Sequence, residues 1–208
     1  MTFTLPATKT RRLPVALAVL ALATLIGPPA QAHVMDGPLG GFGSGFGHPL
    51  AGFDHLLAML AVGLWGAQMG GRSVWTLPAT FPMIMCVGGI IGMTGILPDQ
   101  PIEYGIAFSV IVLGAAIAAA WRAPEWVALV LIAAFALMHG YPHGVLAPRA
   151  SDPAAFTVGF VVSTGVIHVI GIAIGASLKP IGGGRLVQAM GAGISLAGFW
   201  FLFRLVAA

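Results

Sequence analysis

Residues 154–178 read AAFTVGFVVSTGVIHVIGIAIGASL, 25 consecutive positions without Asp, Glu, Lys or Arg. A helix rises about 1.5 Å per residue, so roughly 20 apolar residues span the hydrocarbon core of a bilayer. This run is long enough to cross, and its one ionisable side chain, His168, falls near the middle. Working outward, five further apolar stretches stand at 50–69, 74–97, 104–121, 126–141 and 186–206. The whole chain is 58% hydrophobic and 7% charged, against about a quarter charged in a soluble domain. Too little polar surface exists to cover a soluble fold. The expectation is an all-α polytopic membrane helix bundle of about six transmembrane helices, forming one domain in the lipid bilayer. The net charge of +3 comes from few residues, and no Lys/Arg cluster of the kind that tracks phosphates occurs, which argues against nucleic acid as a partner. The fourth stretch is short and closes on Gly140, Pro142 and Gly144. Broken backbone is therefore expected there, tolerated at membrane depth only beside protein or a wet cavity.

The N-terminus has the order of a secretory signal. Lys9, Arg11 and Arg12 precede an apolar run at 13–26, and Ala30-Gln31-Ala32 is an A-x-A cleavage site. The predicted division is a signal peptide at 1–32 and a single transmembrane domain at 33–208, with residues 33–47 a flexible, glycine-rich periplasmic arm. The mature N-terminus then lies outside a bacterial inner membrane. Inside loops would hold Arg72, Arg122, Lys179 and Arg185, and the outside Arg149 and Arg204, in agreement with the positive-inside rule. Trp65, Trp75, Trp121 and Trp126 fall near the inner ends, as an aromatic belt would. Gly88 and Gly92, Gly171 and Gly175, and Gly191 with Ser195 are small-xxx-small pairs that allow helices to approach closely, and a homo-oligomer is compatible with them. Cys86 is the sole cysteine, so no intrachain disulfide forms, and it reads as a packing residue.

On this topology all six histidines avoid the cytoplasmic side. His33 would be the new N-terminus, His48 and His55 open the first stretch, His139 and His143 close the fourth, and His168 lies within the fifth. Asp36, Asp54, Asp99, Glu103 and Asp152 also fall in the outer half. His48 and His55 are two helical turns apart and share a face if the helix begins early. His139 and His143 are i,i+4 neighbours able to converge on one ion, although Pro142 disturbs regular geometry. Asp54 points about 100° away from His55, so it would orient a different imidazole or bind from the side. Imidazoles with carboxylates suit nickel, cobalt, zinc or copper, whereas magnesium and calcium want all-oxygen shells. Burying such groups unpaired costs several kcal/mol. Bland alternatives stand beside these readings: His168 as a hydrogen-bonded packing residue, Glu103 as a helix N-terminal acid favoured by the dipole, and Met59, one turn from His55, as gap-filling. His33, with a free α-amine, an imidazole and Asp36 nearby, could capture ions, or be a remnant of cleavage.

The run His48-Pro49-Leu50-Ala51-Gly52-Phe53-Asp54-His55, followed by Met59 and Val62-Gly63-Leu64-Trp65, closely resembles the opening signature of the HupE/UreJ family. Glu103-Tyr104-Gly105-Ile106-Ala107 with Ser109 and Val112-Leu113-Gly114 resembles its third-segment pattern. Ala136 through Gly144 resembles its His-Gly-x-x-His-Gly element, and Gly159 through His168 with Gly171 to Gly175 a later one. Family members often carry a glutamate after the second His-Gly, where this chain has Val145, Leu146 and Ala147. The resemblance implies a nickel (or cobalt) permease serving hydrogenase or urease maturation. The expectation is thus a permease, not an enzyme. It would carry a divalent metal ion as substrate (Ni2+, with Co2+ or Zn2+ as alternatives) past His48, Asp54, His55, His139 and His143, then Glu103 and His168, with His33 as the capture residue. Rival readings are a metallochaperone, a membrane zinc enzyme lacking the usual His-Glu-x-x-His base, and a haem carrier.

Overall fold

The computed structural model describes residues 40–146 and 152–207. The signal peptide, His33, Asp36 and Arg149 lie outside the described residues. Among the described residues seven helices follow in order: α1 (Gly40–Ala51), α2 (Phe53–Met69), α3 (Ser73–Gly92), α4 (Asp99–Ala118), α5 (Glu125–Leu146), α6 (Pro153–Leu178) and α7 (Arg185–Ala207). A short 3-10 turn, Ile181–Gly184, precedes α7. No strand occurs among the described residues. Helices α3 to α7 are each long and apolar enough to cross a membrane. The pair α1 and α2, bent by 82°, is long and apolar enough only when taken together, as a broken span or a re-entrant loop. The chain is an all-α, multi-pass membrane protein.

Two sequence expectations are corrected here. The glycine-rich stretch at 40–47 is helix, not flexible arm. Glycine costs helix stability, but Gly41 and Gly45 sit against the backbone of Asp152 and Phe156, where a Cβ would collide. That contact fixes α1 along the start of α6. The second correction concerns the broken backbone. It is not at Gly140–Gly144, since α5 runs unbroken through Pro142. Close packing accounts for this: Gly140 and Gly144 lie on the backbone of Met85 and Gly89 in α3, which holds the helix despite the missing proline N–H. The break falls instead at Gly52, whose extended φ/ψ of −95°/105° ends α1 and starts α2.

Helix pairs are closed where side chains are smallest. Gly88 and Gly92 lie on Leu137 and Tyr141 of α5, Gly171 on Leu60 and Gly63 of α2, and Gly191 on Ile117 and Ala118 of α4. All three small-xxx-small pairs therefore mark helix seams, as read from the sequence. Ser195 Oγ adds a hydrogen bond to Ile111 O (3.1 Å). A common core of Met59, Leu64, Trp65, Leu77, Phe81, Leu113 and Ile132 fills the space between the pairs.

One end of the bundle is tied by ordinary bonds. Trp65 Nε1 donates to Trp121 O (2.9 Å), Gln68 Nε2 to Ile117 O (3.0 Å), and Thr76 Oγ1 to Glu125 Oε1 (2.8 Å). Lys179 Nζ reaches Ala67 O and Gln68 O at 3.4 and 3.5 Å, a cation near the last carbonyls of α2, where the helix dipole favours it. Trp75 and Trp126 project outward at the same end. At the opposite end Tyr141 Oη donates to Leu97 O and accepts from Leu97 N–H (2.9 and 2.8 Å). There too Asp152 caps α6 by accepting from Ala155 N–H (3.0 Å), with Pro153 at the first helical position. Asp152 is thus a helix cap. Cys86 departs from its expected packing role: it is exposed on the flank of α3.

Candidate metal-ion pathway

The bend at Gly52 shapes the site. His48 ends α1 and His55 begins α2, so the two do not share a helix face. Instead the bend brings both onto His143 of α5, with ring centroids 4.8 Å from it in each case. His55 also lies 4.8 Å from His139. His139 touches Phe81 (5.5 Å), and Phe81 touches His168 (5.4 Å). The five described histidines therefore form one row, His48–His143–His55–His139–Phe81–His168. It starts at half-buried His48 and ends at His168, which is 1% exposed. Phe156 and Phe160 wall its mouth, the latter 4.1 Å from His143. Beside that mouth a largely apolar cavity of about 180 Å³ runs between α3, α5 and α6, with His143 and Cys86 in its lining.

Hydrogen bonds fix which ring nitrogens face the row. Asp54 Oδ1 accepts from the His55 backbone N–H (2.8 Å) and pairs with His55 Nδ1 (2.9 Å). A carboxylate only accepts, so Nδ1 carries the proton and Nε2 keeps its lone pair. Asp54 thus orients its own neighbour, not a different imidazole as its helical direction suggested; as the first residues of a helix after a bend, the two can turn toward each other. Ser109 Oγ donates to Ile106 O (2.7 Å) and lies 2.8 Å from His139 Nε2. Its single proton is used on Ile106, so His139 Nε2–H must donate to Ser109 and Nδ1 keeps the lone pair. Such outer partners hold a ligating imidazole in one tautomer and orientation. Buried and without a hydrogen-bond partner are His55 Nε2, His139 Nδ1, and both nitrogens of His143 and His168. Glu103, half-buried at the start of α4, is in electrostatic reach of Asp54 and His55. Among the described residues no three His, Cys, Asp or Glu side chains already form a metal-ion shell. The arrangement is a line of neighbouring donors rather than a closed cage.

The pattern of the HupE / UreJ protein family matches residues 19–201 of the chain. Protein HupE of Rhizobium leguminosarum bv. viciae is 38% identical over 186 residues, covering 88% of this chain and 92% of that protein. The chain belongs to the HupE/UreJ family. No solved structure matches it.

The stretches that resemble HupE/UreJ signatures supply every histidine of the row, together with Asp54, Glu103 and Ser109. The sequence reading therefore named the histidines that the structure brings into one row, but it did not name Phe81, Phe156 and Phe160. Nothing in an apolar run distinguishes a phenylalanine that touches two histidines from one that faces lipid. Pro78 and Pro82, which flank Phe81, were the available signal. Met59 is fully buried in the core, consistent with gap-filling.

Proposed function

We propose that this HupE/UreJ protein is an inner-membrane permease for a divalent transition-metal ion, nickel first and cobalt next, supplying hydrogenase or urease maturation. The observation that carries the reading is the row of imidazoles leading inward with six buried ring nitrogens unpartnered. Buried polar groups are nearly always hydrogen-bonded, to water or an ion where the protein offers no partner, so such a line is suited to a polar occupant. Neutral imidazole favours borderline metals over magnesium or calcium. The ion enters at His48 and His143 and is held against His55, with Asp54 and Glu103 offsetting its charge. It then passes His139 towards His168. A line of donors suits passage better than a cage, because each station must release what it binds. No P-loop occurs in the sequence, and an inside-negative potential favours entry of a 2+ ion by roughly 4.6 kcal/mol per 100 mV, from about 2.3 per charge. The mature N-terminus is periplasmic in this reading, and His33 serves as a capture residue ahead of His48.

A second reading, a metallochaperone that binds without moving the ion, draws on the row ending at His168. Uptake of radioactive nickel into proteoliposomes with an inside-negative potential separates the two. Uptake by wild type, lost in His55→Ala, is the expected result. Nickel binding with no uptake of nickel, cobalt or zinc would overturn the permease.

A further inference from the structure

The row is histidine at every place but one. Phe81 is fully buried and stands between His139 on one side and His168 on the other. It is carried by a helix with prolines at 78 and 82. Pro82 has no N–H, so the carbonyl of Pro78 lacks its helical partner. That carbonyl lies toward the His168 ring, yet neither ring nitrogen makes a hydrogen bond of ordinary geometry. One turn earlier on the same face of α6, Thr164 is fully buried, and its hydroxyl also has no partner. Threonine in a helix commonly bonds back to the i−4 carbonyl, so an idle hydroxyl beside an idle imidazole is unusual. Unlike His55, this group has no carboxylate hydrogen-bonded to it.

We propose that Phe81 is a gate between two cation stations: the four-imidazole cluster outside it, and an inner station made by His168, the Pro78 carbonyl and the Thr164 hydroxyl. The proposal rests on the permease reading above. The inner station takes the same borderline divalent ion as the outer one. With no carboxylate bonded to its imidazole it holds the ion weakly, as a release step requires. Phe81 offers no lone pair, so an ion passes only when the ring moves aside. Helices interrupted by proline are where backbone bends, and the two prolines beside Phe81 place that freedom at the ring.

The test combines nickel binding by the detergent-solubilised protein with nickel uptake into proteoliposomes. His168→Gln is expected to lose a weaker bound nickel while keeping the tighter one, and to lower uptake by about tenfold, the smaller end of the effect of removing a supporting group. Phe81→Ala is expected to bind nickel like wild type but to raise uptake at zero potential. Phe81→Leu carries the same test with a smaller change of volume if Phe81→Ala does not assemble. Two Phe81 variants with wild-type binding and wild-type uptake at every potential would overturn the gate. Unchanged stoichiometry and uptake in His168→Gln would overturn the inner station. A wild type that moves no nickel would overturn the permease reading and the gate together, leaving the inner station to be decided by the binding stoichiometry.

Discussion

The two ends of this bundle treat polar groups in opposite ways. At the end marked by Trp65, Trp121 and Lys179, the indole N–H of Trp65, the amide N–H of Gln68 and the hydroxyl of Thr76 each bond across a helix boundary. At the other, four buried imidazole nitrogens, on His55, His139 and His143, have no hydrogen-bond partner, and the two of His168 lie deeper along the row. An unmade hydrogen bond at a buried group costs about 1–3 kcal/mol. The first end leaves Gln68 Oε1 without a partner, whereas the other leaves a run of neighbouring imidazole nitrogens, as the ion path proposed above requires. The imidazoles are not left loose, however. Asp54 and Ser109 each hold one side of a ring and so aim the other side at the row.

Removing the hub of the open end should have the largest effect. His143→Ala takes away the ring that His48 and His55 both touch. Nickel uptake should fall by more than the roughly 10–100-fold typical of a supporting residue, with the helical circular-dichroism spectrum unchanged. A variant that transports normally would end the contrast between the two ends. Ser109→Ala comes next: His139 loses the acceptor that fixes its tautomer, and nickel affinity should drop by about 10–100-fold in a binding titration. Asp54→Asn should fall in the same range by releasing His55, and an unchanged affinity would separate that carboxylate from the row.

The remaining two predictions concern stability alone. Gly144→Ala forces a Cβ into the backbone of Gly89 and should cost about 1–3 kcal/mol as overpacking, read as a lower Tm in detergent. Trp65→Phe deletes the bond to Trp121 O and should cost about 1 kcal/mol, with uptake per folded molecule unaltered. If Trp65→Phe abolished uptake without lowering Tm, the closed end would be part of the path.

The apolar runs made the helical class and five long spans legible, because a bilayer imposes a length and forbids unpaired backbone. The residues of the row were legible too, since ionisable residues are scarce in such runs and each one asks for a partner. What escaped was set by tertiary contact. Gly40 to Gly47 read as a flexible arm because local propensity says so, and became helix because Gly41 and Gly45 dock on α6. Pro142 read as a break and proved to lie inside a helix clamped by α3, while the true break came at Gly52. The joining of His48 and His55 through His143 follows from that bend, which no spacing within one helix reveals.

The docking of α1 on α6 bears on the order in which the molecule is built. The chain emerges from synthesis with His48 and His55 early and residues 152–160 late. His48 is held by α1, and α1 is held where Gly41 and Gly45 meet Asp152 and Phe156. The entrance is therefore assembled only when the second-to-last span arrives. A polypeptide interrupted before Asp152 carries four of the row's five histidines but not the wall that gathers them at the mouth. If the row is the ion path proposed above, completion of the chain is thus a precondition for its entrance, and an unfinished copy would present no ordered opening to ions.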